Sequence, residues 1–206
     1  PLASVRDVAE APDGARVALG LGSFVEIRDA VSGTRLVRWD LGSRISAVAW
    51  VDDSRLAIAG EDGVELVEIA GESIQRRGRW QLEQLEGPLQ LAAATVEHEG
   101  ETHRLLALGD RRGRTWRLHV DPLEASSVAI ADGEHELSTL AWGTEGRLLV
   151  VDNTPQLVAY DPLGGSRPRA YGLPRTMDVV APAPDGDLVA VAGWGRVHLL
   201  SLSSGV

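Results

Sequence analysis

The chain has 206 residues, enough for one large domain or two small ones and for a substantial apolar core. Thirty acidic against twenty basic residues give a net charge of −10, which argues against sequence-independent binding to nucleic acid or an anionic membrane. Lysine is absent, excluding Schiff-base and P-loop lysine chemistry, and without cysteine there is no disulfide, thiolate nucleophile or thiolate metal site.

No stretch reaches the roughly 18 consecutive apolar residues of a membrane span. The opening "PLASVRDVAE" has neither the basic flank nor the apolar run of a signal peptide, and it carries no initiator Met. The expectation is a cytoplasmic chain that is processed or is a piece of something longer.

In chain order, the first unit reads "VRDVAE" (5–10), a turn "APDG" ending at Gly14, an apolar run at Arg16–Leu19, "FVEIRD" (24–29) and "RLVRWDL" (35–41). The second repeats the order with "ISAVAW" (45–50), Ser54 in the turn column, Leu56–Ala59, "VELVEI" (64–69) and "IQRRGRW" (74–80). Then "WQLEQLEG" (80–87) is the one stretch with helical character, ended by Gly87-Pro88. The third unit places Gly100 in the turn, three extra residues before Leu105–Leu108, then "TWRLHV" (115–120) and "SSVAIAD" (126–132). The fourth has "LSTLAW" (137–142), Gly146, Leu148–Val151, "QLVAYD" (156–161) and "RPRAYGL" (167–173). The fifth has "MDVVAP" (177–182), a second "APDG" ending at Gly186, Leu188–Ala192 and "RVHLLS" (196–201).

The turn residues Gly14, Ser54, Gly100, Gly146 and Gly186 are separated by 40, 46, 46 and 40 residues. A period of this size marks propellers, solenoids or arrays. The runs are short, rich in Val, Leu and Ile, and bounded by Gly, Asp, Ser and Pro, which is strand punctuation. Four short strands per unit make the blade of a β-propeller, so the expected fold is all-β with five blades, the last lacking its outer strand. The blades fall at about 4–41, 45–82, 88–132, 137–173 and 176–206, in one domain.

These units resemble the WD40 repeat. The resemblance is closest in "VRDVAEAPDGARVALGLGSFVEIRDAVSGTRL" (5–36), with its Pro-Asp-Gly turn and the Asp29, Ser32 and Gly33 after the third strand, and in "MDVVAPAPDGDLVAVAGWGRVHLLSLSSG" (177–205). It covers nearly the whole chain. The Gly-His dipeptide of that family is missing, Gly133-Glu134-His135 being the nearest approach, and the Trp-Asp pair is reduced to Arg28-Asp29 and Tyr160-Asp161. Trp39-Asp40 lies on a fourth strand and is a false match. The resemblance implies an incomplete hydrogen-bonded tetrad, with rigidity resting on apolar packing. It also implies a non-catalytic platform for protein recognition, a sensor or scaffold module of a larger, bacterial multidomain protein.

The final blade stops after three strands, and only Pro1–Ser4 precede the first inner strand. Either the ring closes at five blades with a three-stranded seam, or a second chain or further chain segment completes it. An unclosed ring leaves apolar faces and strand edges open.

No catalytic signature stands out. The five histidines (His98, His103, His119, His135, His198) never recur at the spacing that places two imidazoles on one helix face. Asp52-Asp53 and Glu61-Asp62 read as turn acids. The Gly-rich stretches at 19–24 and 193–196 lack the third Gly and following helix of a dinucleotide site, and no cofactor or metal is expected. Asp7 and Asp178 share a first-strand column, which leaves a hydrolase or lectin site in the central channel as the alternative. The binding candidates are loop residues of one face: Arg44, Arg111, Arg112, Arg175, Trp194 and Arg196, among Glu61, Asp62, Asp110, Glu134 and Asp152. The partner they imply is a protein, through an acidic segment.

Overall fold

Aliphatic residues alternating with small or polar ones put a buried stripe on each face of a strand, and in this chain such strands form five antiparallel sheets. The computed structural model describes residues 4–121, 127–131, 133–163, 165–183 and 186–204. Blade 1 contains β1 (Val5–Glu10), β2 (Arg16–Leu21), β3 (Phe24–Asp29) and β4 (Arg35–Asp40). Blade 2 contains β5 (Ile45–Trp50), β6 (Arg55–Gly60), β7 (Gly63–Ala70) and β8 (Ser73–Gln81). Blade 3 contains β9 (Gln90–His98), β10 (Glu101–Gly109), β11 (Thr115–Asp121) and β12 (Ser127–Ala131). Blade 4 contains β13 (Leu137–Trp142), β14 (Leu148–Asp152), β15 (Gln156–Tyr160) and β16 (Arg169–Gly172). Blade 5 contains β17 (Val179–Pro182), β18 (Leu188–Gly193) and β19 (Arg196–Ser201). Each strand pairs with its sequence neighbour, giving four sheets of four strands and a last sheet of three.

The repeated "APDG" has a structural meaning at both ends of the chain. Ala11 N–H donates to Arg16 O and Gly14 N–H to Ala11 O; Ala183 N–H donates to Leu188 O and Gly186 N–H to Ala183 O. Pro184 and Asp185 of the second copy lie outside the described residues, as do residues 1–3, Ser126 and Asp132 at the edges of the predicted strands, and residues 205 and 206. The three extra residues of unit three lengthen both β9 and β10 into a hairpin with Glu99-Gly100 at its tip. The helical promise of residues 80–87 is not met. Strand β8 runs through Gln81, and the left-handed backbone at Gln84 (φ 61°) turns the chain into blade 3. A single 3-10 turn, Thr144–Gly146, precedes β14.

Blades stack through their faces. Val25 and Ile27 pack on Leu56 and Ile58 between blades 1 and 2. Ala57, Ala59, Val64 and Leu66 pack on Leu106, Leu108 and Leu118 between blades 2 and 3. Ala107 meets Leu148 and Val150 between blades 3 and 4, and Leu149, Val151 and Leu157 meet Val180, Val189 and Val191 between blades 4 and 5. Each fully buried Leu or Ile contributes about 1.5–3 kcal/mol, so apolar packing dominates these joints.

Polar clasps fix the blade order. Trp50 Nε1 donates to Ala9 O at 3.1 Å, and Trp142 Nε1, in the same column two blades on, donates to Ala92 O at 3.1 Å. Asp7 Oδ2 accepts the Val48 N–H at 2.8 Å, and the Tyr171 hydroxyl donates to Leu202 O at 2.8 Å.

The inner strands pack in succession, β1 on β5, β5 on β9, β9 on β13 and β13 on β17. No apolar cluster joins blade 5 back to blade 1 among the described residues. Val8 on blade 1 and Val197 and Leu199 on blade 5 stay more than half exposed.

Candidate recognition face

The hairpin tips between second and third strands and the segments entering each inner strand lie at one end of every blade. Arg44, just before β5, is exposed and lines a cleft of about 520 Å³ with Arg6, Ser46, Glu61, Leu85 and Pro88. This cleft lies where the inner strands β1 and β5 begin. Arg6 and Arg44 make no ion pair among the described residues. Arg6 was not among the sequence candidates, because its first-strand position hides its nearness to the loop at 85–89.

Arg111 and Arg112 sit on the neighbouring loop. The Arg111 side chain presses on Gly87, where a Cβ would come within 2.6 Å of it, and its Nη1 lies 4.0 Å from Glu136. Arg112 pairs with Glu86. Both loops are organised by Asp110, which sequence reasoning counted among the surface acids and the structure buries completely. Asp110 Oδ1 accepts the Arg114 N–H at 3.1 Å, and Oδ2 accepts Arg114 Nε at 3.0 Å and the Glu86 N–H at 3.4 Å. Arg114 also reaches Gln84 O. The third arginine of "DRRGR" therefore turns inward as a staple, and only Arg111 and Arg112 face out. The signal for this was an acid four residues before an arginine across Gly113, the spacing of a loop closed on itself.

The remaining candidates gather on blade 5, with blade 4 between the two groups. Trp194 is 71% exposed at the tip of the β18–β19 hairpin, in a two-residue turn with Gly195. Its φ of 55° lies in the left-handed region, which costs a large side chain of order 1–3 kcal/mol. Its indole N–H points at Thr176 Oγ1, 3.4 Å away, beside Arg175. Arg175 and Arg196 are exposed and make no ion pair among the described residues.

The opposite face carries a charge network. Arg55 donates to both oxygens of Asp121 at 2.7 Å and through Nε to Asp52 Oδ2 at 2.8 Å, while Arg104 Nη1 lies 2.8 Å from Asp121. Asp52 also accepts the N–H groups of Ser54 and Arg55, as expected of a turn acid. The hydrogen bonds from Arg55 pull Asp121 down to about 2, against the opposing effect of burial. For Asp52, burial pushes the pKa up, but Arg55 and the Ser54 N–H outweigh it and the carboxyl stays below its usual value.

The extra length of the β9–β10 hairpin brings three histidines into a column, a grouping that sequence spacing did not suggest. The His98 and His103 rings are 6.2 Å apart and those of His103 and His119 are 5.9 Å apart, edge to face. Among the described residues no group of three or more histidines and acids converges on a metal position.

The channel pair does not hold. Asp7 stands opposite Gly20, whereas the residue opposite the equivalent Ala192 is Val179, so Asp178 is one position out of register. Both oxygens of Asp7 accept backbone N–H groups, from Val8 and Val48, which makes it a blade clasp.

No family model matches this chain, and no curated protein matches it. Among solved structures it is similar to the β-propeller domain of Cps50 (Swd1) from Myceliophteria thermophila. The TM-score is 0.66 at 16% sequence identity, covering 97% of this chain and 70% of that one. Likeness at that identity speaks to architecture, and the architecture of this chain is that of a β-propeller.

Proposed function

We propose that this chain is a WD40-type propeller domain serving as a non-catalytic protein-recognition platform, a cytoplasmic sensor or scaffold within a larger bacterial multidomain protein. The observation that carries the reading is Trp194. A large aromatic held out in solvent, on a backbone conformation it disfavours and between two free arginines, is a costly arrangement unless something binds it. The cleft holding Arg6 and Arg44 extends the same face. In an acidic chain these arginines are the groups suited to an acidic peptide, with the indole covering an adjacent apolar side chain.

The test is an array of immobilised peptides in which Glu and Asp alternate with Leu, Phe and Trp, probed with the whole chain. Trp194→Ala and Arg196→Ala are expected to weaken the best peptide about 10-fold each, consistent with hot-spot losses above 1 kcal/mol. Binding that both variants retain in full would remove this face from consideration.

A further inference from the structure

Three of the blade joints are plugged by an aromatic residue of the fourth strand. Trp39 stands opposite Val25, Trp80 opposite Val64 and Tyr171 opposite Leu157. Those partners stand in turn opposite Gly20, Ala59 and Val151, so the three rings share one column of the blade. Each packs in the apolar cluster that its blade forms with the next one. Trp80 and Tyr171 are buried there, at 1% and 3% exposure.

Blade 3 breaks the column. Gly109 stands opposite Thr115, and Thr115 opposite Ala131, so alanine occupies the place of the plug. One position along, where blades 1, 2 and 4 carry Ile27, Leu66 and Ala159, blade 3 carries Arg117, which reaches across to Pro162 O. A cleft of about 400 Å³ is left between blades 3 and 4, within the roughly 300–1,000 Å³ of ligand sites. Ile130 and Ala131 line it from blade 3; Val150, Val158 and Tyr160 line it from blade 4. Burial, joined by the charge of Asp152, raises the Tyr160 hydroxyl above its ordinary value, so at neutral pH it is a neutral donor. Glu134 and Asp152 also line the cleft and make no ion pair among the described residues, whereas Glu86 and Glu136 close by are paired with Arg112 and Arg111.

We infer that the cleft between blades 3 and 4 is a binding site for an aromatic side chain of a partner protein, carried on a segment with basic residues beside it. The incoming ring takes the place that Trp39, Trp80 and Tyr171 fill at the other joints and lies against Ile130, Val150 and Val158. The carboxylates of Glu134 and Asp152 receive the flanking guanidinium or ammonium groups, which fix the register of the segment. A net charge of −10 draws a basic segment towards the chain and repels an acidic one. The site is separate from the Trp194 face, whose arginines suit the opposite charge, so either can fail without the other.

The experiment titrates the whole chain with short capped peptides at low salt and follows the peptide signals by NMR. The probes share one frame and differ at the centre: Arg-Trp-Arg, Arg-Ala-Arg and Glu-Trp-Glu. Arg-Trp-Arg is expected to bind about 10-fold more tightly than either of the others. Ala131→Trp restores the missing plug from the chain itself; it is expected to abolish binding and to raise the melting temperature by about 2–4 °C. Should that variant melt below the parent, Val158→Phe fills the cleft from the other wall and must block binding in its place. Glu134→Arg, on an exposed side chain, is expected to weaken Arg-Trp-Arg about 5-fold and leave the melting temperature unchanged. Equal binding of the tryptophan and alanine peptides would overturn the inference, as would a filled cleft that still binds Arg-Trp-Arg like the parent. Preference for Glu-Trp-Glu would overturn the basic partner.

Discussion

Arg55 grips Asp121 with two parallel hydrogen bonds of 2.7 Å, joining the second strand of blade 2 to the third strand of blade 3. The planar fork of guanidinium on carboxylate fixes direction as well as distance. Asp121 sits at about 2 in the folded chain, below its ordinary value of 3.8, so it adds stability above pH 4 that is lost as pH falls towards 2. The carboxylate side chain is 39% exposed, and solvent screening reduces the worth of the pair to about 1 kcal/mol. Urea midpoints at pH 7 and pH 3 check this. Asp121→Asn is expected to lower the first by that amount and to narrow the gap between the two.

Trp50 offers a cleaner separation of packing from hydrogen bonding. Trp50→Phe keeps an aromatic ring among Leu56, Ile58 and Val67 but removes the indole donor to Ala9 O. The expected loss is about 1 kcal/mol, against about 3–5 kcal/mol for Trp50→Ala. Trp142→Phe should behave alike, and the double variant should lose the sum, because the whole joint between blades 2 and 3 separates the sites. Guanidinium melts of the three variants decide it.

Asp110 predicts a larger effect from a residue that reads as a surface acid. Asp110→Ala strands Arg114 against Gln84 O and frees the Glu86 N–H, and breaking a buried pair of this kind costs about 3 kcal/mol. Hydrogen exchange should rise at 83–88 and 110–114 together, and not in blade 5.

Trp194→Asn should move stability and recognition in opposite directions. Asn tolerates the left-handed backbone, and Asn-Gly is the favoured pair in a two-residue hairpin turn, so a gain of about 1 kcal/mol is expected. Peptide binding on the same face should fall. Thermal melts beside the peptide titration give both readings from one preparation.

The fold was legible because its grammar is local. Short aliphatic runs, turn glycines and a fixed period name a blade without any knowledge of its neighbours. The site was less legible because exposure depends on what folds back. Asp110 read as one acid among the surface loops, whereas the structure buries it and binds it to Arg114. Arg6 looked like a strand residue until the loop at 85–89 approached it. The apparent Asp7 and Asp178 column failed for a simpler reason, a count one residue out: with Ala9 level with Ala181, Asp7 falls level with Val179.

Blades whose inner strands pack one on the next, as they do among the described residues, behave as a one-dimensional stack. Its stability is the sum of unit terms and joint terms, with two joints for blades 2, 3 and 4 and one each for blades 1 and 5. Melting in such a stack begins at the termini and travels inward, and refolding can nucleate on any adjacent pair and spread both ways. Closing the circle would give every blade two joints at once, turning a graded fraying into a single cooperative event.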